Sequence, residues 1–486
     1  MVKAKRNRPA SERAVAPAES AWQARLCAPV DIAGLVWFRI AFGIVLLVEM
    51  LCFLALDWVQ TTFDATKFHF TYYGFEWVRP LPGMGMTALF VALAILAAMI
   101  TVGCCYRWAT GLFWLGFTYV FLLEKAVYLN HFYLVCLVSF LLIFLPAHRR
   151  WSWDAWRSPQ LRSDWMPTWA LWLLRLQIAI PYVYGGIAKL DSDWLQGQPL
   201  QWWMSRMSHV RAVVPAFGEP WLALVFSYGG LLLDLFVVPL LLWRRTRMFA
   251  FLAAVGFHLC NALMFEIGIF PWFMICATTV FFPSDWPRRL LRWPPADKQQ
   301  RPTAALDLPG GVVSAALLTI VLGLQLALPF RHLLYPGPAD WTEEGSRFAW
   351  RMMLNDKAAT LQIVAVHAAT GKQSAVDPRL FLDERQLNKM SHDPEMLREF
   401  AEFLGHGFEQ QGQGRYEVHA VVLCSLNGRR PQLLVDPRVD LASQPRTLSP
   451  APWIVPLKEP LLAEAFVEPP SQWSQSLDWE ALLKTP

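Results

Sequence analysis

Three short segments place polar side chains inside otherwise apolar sequence. The segment "YLNHFYL" presents Asn130 and His131. "PYVYGGIAKLDSDW" presents Tyr182, Tyr184, Lys189, Asp191 and Asp193, and "GFHLCNALMFEIG" presents His258, Asn261 and Glu266. Ionisable groups at membrane depth are expensive and are functional candidates by default. A lysine is a poor base while protonated, and apolar surroundings favour its free amine. Lys189 is therefore a candidate general base. Gly185 and Gly186, just before it, permit close approach of a helix or ligand. His131 can donate to an oxyanion or hold a ligand oxygen. His258 and Asn261 are three residues apart and share a helix face.

Each group also has a structural reading. Lys189 could snorkel from a helix end. His131 could be a satisfied interhelix histidine, and His258 and Asn261 could bond only to another helix. Asp191 and Asp193 read best as caps or anchors after the span, with Asp191 able to pair with Lys189. Asp234, in "GGLLLDLF", reads as an interhelix polar contact.

These residues need a membrane scaffold, and the composition supplies one. The chain has 486 residues, 55% hydrophobic, 14% aromatic and only 17% charged, with 25 Trp. A soluble globular chain carries about 25% charge. This excludes a disordered chain, a collagen and an ordinary cytosolic enzyme. Apolar runs at 32–56, 85–103, 108–123, 127–146, 168–187, 219–243, 248–265, 269–283 and 310–329 are candidate spans, the eighth being the weakest. A basic head (Lys3, Lys5, Arg6, Arg8, Arg13, Arg25) precedes them, and the first run is too long for a signal-peptide core.

With the N-terminus inside, the inner loops collect Arg107, Arg149, Arg150, Arg157, Arg162, Arg244, Arg245 and Arg247. The outer loops are poorer in basic residues, as the positive-inside rule requires. Nine spans put the tail outside. All three polar clusters then fall in the outer half of the membrane, where they could meet in one pocket.

The front of the chain is basic, with 27 Lys+Arg against 18 Asp+Glu, and residues 331–486 carry 16 against 20. The weak net charge of +5 gives no reason to propose nucleic acid as a partner. "LQIVAVHAATG" and "YEVHAVVLCSLNG" read as strands, and "DPEMLREFAEFLGHGF" as a helix started by an Asp. The fold class is thus an α-helical polytopic membrane domain of about nine transmembrane helices followed by a soluble α+β domain. No C-x-x-C, P-loop, H-E-x-x-H or G-x-S-x-G motif occurs, so zinc and nucleotide chemistry have no support.

The segments "YVFLLEKAVYLNHFYL", "YVYGGIAKLDSDWLQGQPLQWW", "FHLCNALMFEIGIFPW", "LPFRHLLYPGPADWTEEGSRFAWRMM" and "VDPRVDLA" occur in order. In this combination the chain resembles the vitamin K-dependent γ-glutamyl carboxylase family, including its bacterial homologues with an HTTM membrane domain. The likeness covers roughly residues 31 to 456. It implies a basic cytoplasmic tail at 1–30, an HTTM-like transmembrane catalytic domain at 31–330 and a soluble domain on the outer face at 331–486.

The resemblance also implies an activity. A reduced vitamin K, phylloquinol or menaquinol, is oxygenated to its epoxide. The strong base so generated removes a γ-proton from a peptide glutamate, which takes up CO2. O2 and CO2 are co-substrates and no metal is implied. The family's deprotonating lysine falls on Lys189, its active-site histidine on His131 and the preceding asparagine on Asn130. Its FHxxN segment falls on His258 and Asn261. Tyr182 and Tyr184 stand with Asn130, His258 and Asn261 as cofactor-binding candidates, and Lys189 and His131 as catalytic ones.

Two positions depart from the animal pattern: Ala188 replaces the first residue of a lysine pair, and Arg351 replaces an aspartate before Met352 and Met353. Two other readings therefore stand beside the carboxylase. One is epoxidation without carboxylation, and the other a non-enzymatic quinone-binding or transport protein. The expected partners are the bilayer, a naphthoquinol and a glutamate-containing peptide. With one cysteine, the tail can form no internal disulfide, which fits a bacterial inner membrane with the N-terminus cytoplasmic and the tail periplasmic.

Overall fold

A computed structural model describes residues 25–265, 267–302, 311–462 and 464–473. The basic residues Lys3, Lys5, Arg6, Arg8 and Arg13 and the cluster residue Glu266 lie outside the described residues. The apolar runs form helices α1 (Ala33–Ala55), α2 (Gly85–Val102), α3 (Tyr106–Leu123), α4 (Asn130–Phe144), α5 (Thr168–Ala188), α6 (Pro220–Leu242), α7 (Arg247–Met264), α8 (Phe270–Thr278) and α9 (Gly311–Ala327).

Among the described residues, six helices are long and apolar enough to cross a membrane: α1, α2, α5, α6, α7, and α9 with the turn that extends it to Leu334. This confirms a helical membrane region, but not the count of about nine expected from sequence. Asn130–Phe144 and Phe270–Phe281 are apolar but shorter. A 15-residue helix spans about 22 Å at 1.5 Å per residue, short of a hydrocarbon core of about 30 Å. The chain is a multi-pass membrane protein.

Small residues set the closest helix contacts. A side chain on Gly43 of α1 would meet the backbone of Thr101 on α2 at 2.8 Å. At membrane depth, where lipid competes equally for apolar surface, such close approach is what holds helices together. A polar tie, Gln177 Nε2 donating to Gln325 Oε1 at 2.9 Å, joins α5 to α9.

The later part of the chain is α+β, as its strand and helix patterns indicate. Strands β3 (Lys357–His367), β4 (Gln373–Val376), β5 (Tyr416–Leu426) and β6 (Gln432–Leu433) form an antiparallel sheet in the order β4-β3-β5-β6. β1 (Pro29–Asp31) and β2 (Trp165–Pro167) make a separate two-stranded ribbon near the start of α5. Helices α10 (Glu384–Ser391) and α11 (Pro394–Gln410) follow β4. Asp393 caps α11 by accepting from Met396 N, with Pro394 at the first helical position. The apolar face of α11 (Met396, Leu397, Phe400, Leu404) closes over Val418, Ala420 and Val422 of β5.

This region is seated on the membrane helices by buried ion pairs. Lys125, in the turn before α4, bonds Glu395 and, at 2.9 Å, Glu399 of α11. Burial alone would raise the Glu395 carboxyl, but Lys125 and Arg446 outweigh it and leave it below the usual carboxylate range. Asp193 accepts from Arg429 Nη2 at 2.7 Å and from Asn427 Nδ2 at 2.8 Å.

Candidate functional site

Lys189 ends α5. Its backbone N–H closes the last turn onto the carbonyls of Gly185 and Gly186. The side chain is 5% exposed. Its Nζ donates to Asp234 Oδ2 at 2.7 Å and lies 5.2 Å from the Trp194 ring centroid. Asp234, in the middle of α6, is equally buried. The interhelix contact expected of Asp234 is therefore this pair.

The partner suggested for Lys189 in the sequence was Asp191, and here the structure differs. Asp191 faces away to cap the short helix Ser192–Leu195, while Asp234 reaches Lys189 across the α5–α6 contact. Gly186 makes that contact possible, because a Cβ there would meet the Leu235 backbone N at 2.9 Å. Gly186→Ala is therefore expected to push α5 from α6, part the pair and lower activity at least about tenfold, whereas Gly111→Ala, which meets nothing, leaves it unchanged. Activity per folded protein checks this, and equal rates for the two variants would refute it.

A cavity of about 710 Å³ opens beside the pair, lined by residues of the membrane helices and of the segment before β3. Asn130, His131, Tyr182, Lys189, His258 and Asn261 all border it. Six of the seven sequence candidates thus come together from α4, α5 and α7. Tyr184 does not join them. Its hydroxyl donates to Leu326 O at 2.7 Å and its ring packs on Phe330, so it braces α5 against the end of α9. The reason is helical geometry: residues two apart point about 200° apart, so Tyr182 and Tyr184 cannot share a face.

The polar groups are held in different ways. Thr278 Oγ1 donates to Met274 O at 2.7 Å. Tyr182 then donates to Thr278 at 2.9 Å and accepts from His258 Nε2 at 2.7 Å, which fixes the histidine tautomer. Tyr128 donates to Asn130 Oδ1 at 3.0 Å and accepts from Phe348 N at 2.8 Å. The amide nitrogen of Asn130 makes one long bond, 3.5 Å, to Arg351 O and can donate into the cavity. His131 is stacked on Phe270 with centroids 5.6 Å apart. Arg351 is occupied by Asp340, which also accepts from Asn355.

Glu49 of α1, 7% exposed, borders the same cavity and was not singled out in the sequence. The signal was there: it is the one carboxylate in the 23 residues of α1.

The cavity has two sides. Val225 and Gly229 on α6 and Cys260 on α7 border it and are exposed on the outer, apolar surface of the helices. Arg351, Met352, Met353, Arg385 and Lys389 border it toward the α+β region.

A bundle of apolar helices with a buried, ion-paired lysine in a cavity beside an α+β region is the architecture of a membrane protein with an internal site of small-molecule size. Residues 27–286 match the HTTM domain, and residues 312–460 match the vitamin K-dependent gamma-carboxylase, lumenal domain. The chain belongs to the vitamin K-dependent γ-glutamyl carboxylase family. That membership makes it carboxylase-like and implies reduced vitamin K, O2 and CO2. No solved structure gives a significant match.

Proposed function

We propose that the protein oxygenates a reduced naphthoquinone to its epoxide and couples this to carboxylation of protein glutamate, with Lys189 as the initiating base. The observation that carries this reading is the buried Lys189–Asp234 pair at the wall of a largely apolar cavity of about 710 Å³. That size falls within the range of roughly 300–1,000 Å³ usual for small-molecule sites. Its few polar groups suit an aromatic ring bearing oxygens. Bound there, reduced vitamin K with O2 supplies the oxidising power and the strong base that carboxylation needs.

The chain's own residues do the rest. Lys189 acts as a base only as a free amine, and Asp234, 2.7 Å away, is positioned to take its proton first. Asn130 and His131 hold the oxygen from which Lys189 takes a proton. The apolar lining keeps water from quenching a strong base. A lipid quinol enters between α6 and α7, past Val225 and Cys260. A peptide enters from the α+β side, where Arg385 and Lys389 bring positive charge for its carboxylate. In this reading the N-terminus is cytoplasmic and the α+β region periplasmic, in a bacterial inner membrane.

The test supplies purified protein with reduced vitamin K, O2, labelled bicarbonate and a glutamate-rich peptide. Epoxide and fixed label are expected to appear together. Epoxide without label would favour the second reading, epoxidation alone, to which Arg351 in the family's aspartate position points. Neither product from folded protein would refute both.

A further inference from the structure

Five carboxyl, amine or imidazole side chains from the membrane helices border the cavity: Glu49, His131, Lys189, Asp234 and His258. Lys189 and Asp234 bond each other, and His258 bonds Tyr182. Glu49 is different. It is 93% buried, yet among the described residues it has no hydrogen bond and no ion pair. The same cavity is lined by the rings of Phe53, Trp58, Phe132 and Phe270 among others. A carboxyl at membrane depth is costly unless something bonds it. A structural role would require a protein partner, and the described residues offer none. A partner that arrives with the ligand removes the difficulty.

The two kinds of polar group lie on different helices. The Lys189–Asp234 pair comes from the end of α5 and from α6. Glu49 comes from α1 and approaches the backbone near Gly268, two residues before Phe270, on which His131 is stacked. The cavity thus has two polar stations, one already paired within the protein and one with free bonding capacity. A 1,4-dihydroxynaphthalene has two hydroxyls on opposite sides of one ring. We propose that Glu49 accepts a hydrogen bond from the hydroxyl that Lys189 does not engage, so that the site reads both oxygens of the ligand. This rests on the reading above that the cavity takes a naphthoquinol.

The experiment compares two probes under anaerobic conditions: 2-methyl-1,4-dihydroxynaphthalene and 2-methyl-1-naphthol, which lacks the second hydroxyl. Binding to protein in nanodiscs is followed by quenching of tryptophan fluorescence. Sites built to bond a hydroxyl discriminate against analogues lacking it. Wild-type protein is expected to prefer the dihydroxy compound. Glu49→Leu, close in size and breaking no bond to a described residue, is expected to bind it about tenfold or more weakly while binding the naphthol unchanged. Glu49→Gln keeps an acceptor oxygen and is expected to retain most of the preference. Equal weakening for both probes would mean that Glu49 only supports the fold, and no weakening for either would mean that it does not touch the ligand; both overturn the proposal. If wild-type protein binds neither probe, the quinol reading falls with it.

Discussion

Lys189→Ala is expected to lower turnover of reduced naphthoquinone by roughly a hundred- to ten-thousandfold, the range for loss of a positioned base. The same change strands Asp234 as an unpaired carboxyl in apolar surroundings, and breaking a buried pair costs about 3–5 kcal/mol. Activity loss alone would therefore be ambiguous. Asp234→Asn separates the two effects. It leaves the amine in place but removes the carboxylate beside it, so turnover is expected to fall steeply although the lysine is present. The double variant Lys189→Leu with Asp234→Asn restores a neutral pair. It should recover thermal stability while remaining inactive. The pattern expected is non-additive, with each single change nearly as inactive as the double and less stable than it. Rate assays and thermal unfolding in detergent read both quantities. An active Asp234→Asn variant would show that Asp234 only anchors the lysine.

The second large effect lies at the junction between the membrane helices and the α+β region. Asp193, in the short helix Ser192–Leu195 that Asp191 caps, receives Arg429 and Asn427 and is 5% exposed. Burial alone would raise its carboxyl, but the donors of Arg429 and Asn427 hold it below the usual range. Its contribution to stability is then full above the ordinary carboxylate range and is lost only as pH falls through the lowered value. Arg429→Ala leaves this carboxyl buried without its cation, at a cost of about 3–5 kcal/mol. A marked drop in melting temperature is expected, with earlier proteolysis of the α+β region. Adding Asp193→Ala should return part of the loss. An unchanged melting temperature in Arg429→Ala would mean that this junction contributes little.

Much of the candidate site's lining is legible in the sequence because membranes make polar residues conspicuous. Asn130, His131, Tyr182, Lys189, His258 and Asn261 stood out against apolar sequence, and span order placed them at one depth. The helices of the bundle and the strands and α11 of the later region followed from periodicity and caps. Pairing was harder to read. Asp191 lies two residues from Lys189 in sequence, Asp234 lies 45 away, and the α5–α6 approach at Gly186 favours the distant one. Tyr184 was grouped with Tyr182 by proximity, although their spacing puts them on opposite faces. Glu49 has no polar neighbour in sequence to form a cluster with, so it does not stand out as the other three segments do.

The α6–α7 side of the cavity, where Val225, Gly229 and Cys260 border it and are exposed on the outer apolar surface, changes what substrate concentration means. A ligand that arrives through it is drawn from a two-dimensional solvent. The quantity governing occupancy is its mole fraction among the surrounding lipids or detergent, and the bulk molarity drops out. Adding micelles at a fixed total amount of quinol dilutes the substrate as surely as adding buffer dilutes a soluble one. On the proposed quinol reading, a KM for a substrate taken from the bilayer is a surface composition, while a peptide reaching the cavity from the α+β side obeys ordinary molar saturation.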